Sequence, residues 1–232
     1  MLNELSGTTN TRILSEFVTR GDTVVDIGAN QGAFSLVASH LVGPEGAVIA
    51  VEPQAQLAAA IEGSLIQSPA GTKIVSRVAM GDQNSTAEFT IPKSYSGMAG
   101  MHKSFSGAKG FHTQTVPVRR FDDEFDWKKF PGRVFIKLDI EGSEFAFLRG
   151  AFRMISEKQP IILMELNTAA MSAADVGIED LQQLLFALGY KTFSTADSMS
   201  CKLSMERLAT VRAHDVVLYP EMGDIRRPHG LR

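Results

Sequence analysis

Apolar residues follow two alternating rhythms along this chain. Short unbroken apolar runs at Thr23–Ile27, Ala47–Val51 and Val134–Leu138 read as strands covered on both faces. Between such runs the spacing changes to i, i+3, i+4, i+7. Phe34, Val37, Ala38 and Leu41 predict one helix, and Leu57, Ile61 and Leu65 a second. Phe147, Leu148, Ala151 and Ile155 predict a third, opened by Ser143 and Glu144, and Leu181, Leu184, Leu185 and Leu188 a fourth. A lead-in segment spans residues 1–20, with a helix over 10–20.

Further strands are expected at Lys73–Ala79, Ala87–Ile91, Thr113–Val118 and Ile161–Leu166, with closing strands at Lys191–Ser194 and Asp215–Tyr219. Gly- and Pro-bearing turns such as Gly43-Pro44-Glu45-Gly46 and Ser68-Pro69-Ala70-Gly71 punctuate the alternation. Strands alternating with helices predict an α/β fold with a mostly parallel sheet and right-handed crossovers. With no repeat and no linker, residues 1–232 read as a single domain. Residues 93–112, rich in Gly and Ser and without a period, predict a lid or substrate loop.

Composition narrows the classes. Hydrophobic residues make up 44% and charged residues 21%, ordinary for a globular domain. A formal net charge of −3 supplies no field for nucleic acid. The single cysteine, Cys201, cannot close an internal disulfide. No apolar run approaches the roughly 18–20 residues of a membrane span. The N-terminus, MLNELSGTTN, lacks a basic region followed by an apolar core, so a cytoplasmic protein is expected.

In parallel sheets, ligands bind outside the carboxyl ends of the strands. There the chain reads "VVDIGANQGAF" at residues 24–34: Asp26 ends a strand, and Gly28 and Gly32 flank a turn into a helix. Glycines allow a sharp turn and close approach, and the helix start offers free N–H groups to an anion. Glu52 ends the second strand, where a carboxylate can accept both hydroxyls of a ribose. The turn lacks the G-x-G-x-x-G spacing that accommodates a pyrophosphate. Asp26 would repel pyrophosphate and attract an ammonium group, directly or through water. A ligand with an amino acid at one end and a ribose at the other satisfies both, and S-adenosyl-L-methionine is such a ligand.

The segments "GDTVVDIGANQGAFSLVAS", "GPEGAVIAVEP", "VAMGDQNS", "VPVRRFDD" and "FIKLDIEGSEFAFLRGA" resemble the FkbM family of S-adenosylmethionine-dependent methyltransferases, in family order, over roughly residues 20–166. The resemblance implies a class I methyltransferase (Rossmann-like) fold: a mostly parallel seven-stranded sheet, helices on both faces and an antiparallel last strand. It implies methyl transfer to oxygen, on a hydroxyl of a sugar, glycan or secondary metabolite, with S-adenosyl-L-homocysteine as product. By it, Asp26, Gly28, Asn30 and Gly32 would hold the methionine end, Glu52 the ribose, and Ala79 through Asp82 would flank the adenine. From about Thr168 onward the resemblance fades.

In "FIKLDIEGSE" (residues 135–144), Lys137 interrupts a buried strand and requires a carboxylate nearby, with Asp26, Asp139 and Glu165 as candidates. That contact reads equally as a structural ion pair or a catalytic one. Asp139 ends this strand near the expected methyl group, where it can orient the cofactor amine or take a hydroxyl proton. Glu144 reads as a helix-start carboxylate. Methyl transfer needs alignment and a base for the hydroxyl proton. Candidates are Asp139, Glu165 and, in the Gly/Ser loop, His102. Asp139, Glu141 and Glu165 also form a set that can hold a divalent metal, which nothing in their spacing compels. Two alternatives compete: a cofactor-binding module without turnover, and an NAD(P)-dependent oxidoreductase, which the glycine spacing disfavours.

Overall fold

The computed structural model describes residues 9–92, 111–211 and 215–221. Helix α1 (Thr9–Phe17) buries Ile13, Leu14 and Phe17 on one face. Then follow β1 (Thr23–Ile27), α2 (Ala33–Val42), β2 (Ala47–Val51), α3 (Ala55–Ile66) and β3 (Thr72–Ser76). Next come β4 (Ala79–Met80), β5 (Ser85–Pro92), β6 (Phe111–Arg119) and the short helix α4 (Phe121–Glu124). The alternation resumes with β7 (Val134–Leu138), α5 (Glu144–Gly150), α6 (Phe152–Lys158), β8 (Ile161–Glu165), α7 (Thr168–Ala173) and α8 (Ile178–Ala187). Strands β9 (Tyr190–Thr195), β10 (Leu203–Ser204) and β11 (Asp215–Pro220) close the described chain.

The main sheet has the order β10-β9-β11-β8-β7-β1-β2-β3. Strands β8, β7, β1, β2 and β3 run parallel, and β11 is antiparallel to both β8 and β9. The expected seven strands with an antiparallel last strand are present, and the two-residue β10 extends one edge. Alternation sends Val25, Ile27, Ile136 and Leu138 into one core with Phe147, Leu148 and Leu185. Val24, Val48, Ala50, Phe135 and Leu163 enter a second core with Ile13, Leu14, Val37 and Ile61. Each fully buried Ile or Leu contributes about 1.5–3 kcal/mol of transfer free energy. Helix layers on both faces explain why the central strands read as continuous apolar runs.

Three expectations need correction. The third strand stops at Ser76, not Ala79. β3 is a sheet edge, held by β2 only as far as the Val51–Ser76 pair, and Glu124 accepts the Ser76 hydroxyl at 2.8 Å. The chain then leaves the sheet, and Ala79–Met80 pairs with β6. Second, the runs at 87–91 and 113–118 belong to a separate three-stranded sheet, β4-β6-β5. Their apolar faces pack on each other as Ala79, Phe89, Ile91, Val116 and Val118. Third, the helix expected through Phe147–Ile155 is two helices broken at Ala151. The buried Asp122 carboxylate accepts the Arg153 and Met154 amides at 2.8 and 2.9 Å, ending one helix and starting the next. Of the expected cover over 93–112, residues 93–110 lie outside the described residues, and Phe111 and His112 begin β6.

Candidate active site

The strand order reverses around β1, because β2 follows on one side while β7 inserts on the other. A cleft of about 380 Å³ opens there, at the carboxyl ends of β1, β2 and β7. Its floor is the turn after β1. Gly28 has φ 81°, and a Cβ there would overlap the Asp139 carbonyl oxygen, so only glycine lets β1 and β7 end side by side. Gly32 has φ 78° and lies against Ile61, outside the cleft lining. Asn30 and Glu141 hold left-handed φ values of 50° and 52°, and both line the cleft. Backbone in this region is costly for such residues and collects where ligands are held.

Glu52 lines one end of the cleft and is buried. Its two oxygens accept the Asn30 and Gln54 amides, each at 2.9 Å. Burial raises its pKa, and those amides oppose the rise. The carboxylate is thus fixed in direction, with lone pairs left for further donors. Val78, Ala79, Met80 and Phe89 form an apolar wall beside it. Ala79, expected to flank the adenine, is part of this wall. Asp82 does not line the cleft; it pairs with Arg149 at 3.3 Å. Phe89 comes from the second sheet, which nothing in the sequence connected to this site.

At the other end stand Lys137, Asp139, Glu141 and Ser143. Lys137 pairs in register with Asp26 on β1. Its ammonium lies 3.1 Å from Asp139, 3.7 Å from Asp26 and 3.5 Å from the Gly28 carbonyl. Burial lowers its pKa, but Asp26 and Asp139 outweigh that and hold it above its ordinary value. Asp26 is fully buried and accepts the Ser35 hydroxyl at 2.6 Å. It does not line the cleft, so the cation it faces directly is Lys137 rather than a bound ligand.

Glu165 ends β8 beside Asp139, and Asp215 at the start of β11 is its register partner. An antiparallel strand begins where its parallel neighbours end, which places Asp215 on the same rim. Asp215 was not singled out in the sequence; an acidic residue opening the last strand was the available signal. Burial, then Asp139, Glu141, Glu144 and Asp215, push the Glu165 carboxyl up to about 8. Burial also pushes Glu144 up to about 7, although its carboxylate accepts the Ile140 amide at 3.0 Å. Asp139, Glu141 and Glu165 each offer one oxygen within 4.8 Å of the others. Glu165 itself stands outside the cleft lining. His102 lies outside the described residues.

A cleft at the reversal point of this strand order, with an antiparallel strand between β8 and β9, defines a class I methyltransferase fold. The methyltransferase FkbM domain matches residues 26–192, and the chain belongs to that family. Among solved structures, methyltransferase FkbM from Methylobacillus flagellatus KT superimposes with a TM-score of 0.56 at 19% identity, covering 93% of this chain and 48% of that one. This chain thus spans about half the length of that protein. A SAM-dependent O-methyltransferase from Thermotoga maritima aligns with a TM-score of 0.47 at 14% identity, over 95% of this chain and 66% of that one. No curated protein matches the sequence. Among the described residues no helix is long and apolar enough to cross a membrane.

Proposed function

We propose that this chain binds S-adenosyl-L-methionine and methylates a hydroxyl group on a small-molecule or glycan acceptor. One observation carries the reading: a single cleft joins the fixed Glu52 carboxylate and an apolar wall at one end to the Lys137–Asp139 ion pair at the other. That sequence of surfaces suits a ribose, a base and a zwitterionic amino acid. The cofactor would supply a methyl group activated on a sulfonium. The protein then has to hold the acceptor oxygen in line and take its proton.

Asp139 is our first choice for that proton, because it lines the cleft and its side chain is 42% exposed. Glu165 is the second, as the next carboxyl along the rim. Asp26 then acts behind the turn by holding Lys137, while Gly28 and Asn30 shape the floor. The net charge and the carboxylate-rich rim favour neutral acceptors over nucleic acid. A cytoplasmic setting is consistent with a lone exposed cysteine, Cys201.

The test has two stages. Calorimetry should detect binding of S-adenosyl-L-methionine and none of NAD. Transfer of labelled methyl groups to a panel of sugar and metabolite alcohols should then show turnover. Cofactor binding without transfer to any acceptor would favour a binding module, and binding of NAD alone would favour an oxidoreductase.

A further inference from the structure

Past Asp139 the chain turns through Ile140, Glu141, Gly142 and Ser143 before α5 begins. Ile140, Glu141 and Ser143 all line the cleft. Glu141 and Gly142 hold successive left-handed φ values of 52° and 94°. A glutamate meets a backbone cost there that a glycine does not. The buried Glu144 carboxylate accepts the Ile140 amide at 3.0 Å and fixes the turn. Glu141 is thus a carboxylate presented to the cleft from a locked turn.

One oxygen of Glu141 and one of Asp139 lie within 4.8 Å of each other. A hydrogen bond from a hydroxyl to a carboxylate spans about 2.5–2.7 Å. Gauche hydroxyls on neighbouring carbons stand about one such length apart, so each can donate to one of these carboxylates. An acceptor with a lone hydroxyl satisfies Asp139 and leaves the charge of Glu141 facing that of Asp139 once water is displaced. Ile140, between the two in sequence, is partly buried and offers the carbon skeleton an apolar seat. Ser143 makes no side-chain cap bond to α5, which leaves its hydroxyl for the same polar edge.

We propose that Glu141 determines acceptor specificity by holding a second hydroxyl, on the carbon next to the one that is methylated. The reacting hydroxyl gives its proton to Asp139 and takes the methyl group. Its neighbour keeps its proton in a hydrogen bond to Glu141. The acceptor is then a vicinal diol within a neutral polyol or sugar ring. This rests on the methyltransferase reading above and adds the acceptor's geometry to it. The rival use of these carboxylates is a divalent cation held together with Glu165.

The experiment measures labelled methyl transfer by the full chain, at saturating S-adenosyl-L-methionine, to cyclohexanol and two cyclohexanediols. One diol has adjacent cis hydroxyls, and the other has them at opposite ring positions. The adjacent diol should exceed both other alcohols in kcat/KM by about tenfold to a hundredfold, as for one hydrogen bond to a charged group. Glu141→Gly removes the carboxylate and suits the left-handed backbone, so the preference should shrink to within about threefold. Glu141→Asn is also tolerated in that conformation and repeats the comparison if the glycine variant loses cofactor binding. Equal transfer to the three alcohols by the unaltered protein overturns the proposal, and so does a preference that survives in the variant. Transfer to the adjacent diol that a chelator abolishes and magnesium restores assigns Glu141 to a cation, and overturns it too. Transfer to none of the three, with cofactor bound in calorimetry, overturns the diol and leaves the cofactor reading standing. If the cofactor itself does not bind, that reading fails, and the inference falls with it.

Discussion

Lys137 and Asp26 are register partners on adjacent parallel strands, and their charged atoms lie 3.7 Å apart beneath the cleft. This contact ties the glycine turn to the strand that carries Asp139. Removing one member strands a buried charge, which typically costs about 3–5 kcal/mol. Asp26→Ala is therefore expected to lower stability well before its effect on the cleft is read. Denaturant unfolding of Asp26→Ala against the double variant Asp26→Ala/Lys137→Met measures it. The double variant should recover part of the loss, because it removes both charges.

Glu52→Ala removes a carboxylate aimed into the cleft. Cofactor affinity is expected to fall by about 1–3 kcal/mol, through lost hydrogen bonds to a charged acceptor. Calorimetry reads the affinity and circular dichroism checks the fold. Unchanged affinity in a folded variant would refute the ribose role.

Asp139→Asn keeps shape and removes charge. If Asp139 takes the hydroxyl proton, single-turnover transfer should slow by about two to four orders of magnitude, with cofactor affinity changed less. Rate and affinity falling together would indicate an orienting role. A drop in melting temperature before either would indicate that Asp139 serves Lys137.

Glu165 has a folded pKa of about 8 against an ordinary 4.5. A carboxyl raised in the folded state stabilises fully below pH 4.5, and that contribution is lost as pH rises through 8. Glu165→Gln fixes the neutral form. It should therefore raise the melting temperature at pH 8 by about 2–4 °C and by less at pH 5. Scanning calorimetry at the two pH values decides it, and an equal shift at both would rule out the titration of Glu165 as the cause.

Asp122→Ala leaves the Arg153 and Met154 amides without their acceptor. A loss of about 1–3 kcal/mol is expected, as for an N-terminal cap combined with buried unsatisfied donors. Urea unfolding measures it. A variant as stable as the parent would mean that another group takes over those amides.

Local pattern alone determined much of this protein. Apolar runs such as Val24–Ile27 and Ala47–Val51 are unambiguous because both faces of a central strand must be covered. Asp26, Gly28 and Glu52 were legible because a carboxylate or glycine breaking such a run has to be explained at the strand end. What a residue faces was not legible, since that depends on neighbours distant in sequence. Only the β1–β7 register made Lys137 the partner of Asp26, across 111 residues of the chain. Only the peeling of the chain after Ser76 took Ala79 and Phe89 to the cleft wall and left Asp82 with Arg149. The antiparallel entry of β11 brought Asp215 beside Glu165, where it adds to the burial and the Asp139, Glu141 and Glu144 charges that raise the Glu165 pKa. Periodicity reports which face of an element is buried; the long-range pairing of strands decides which charges meet at their ends.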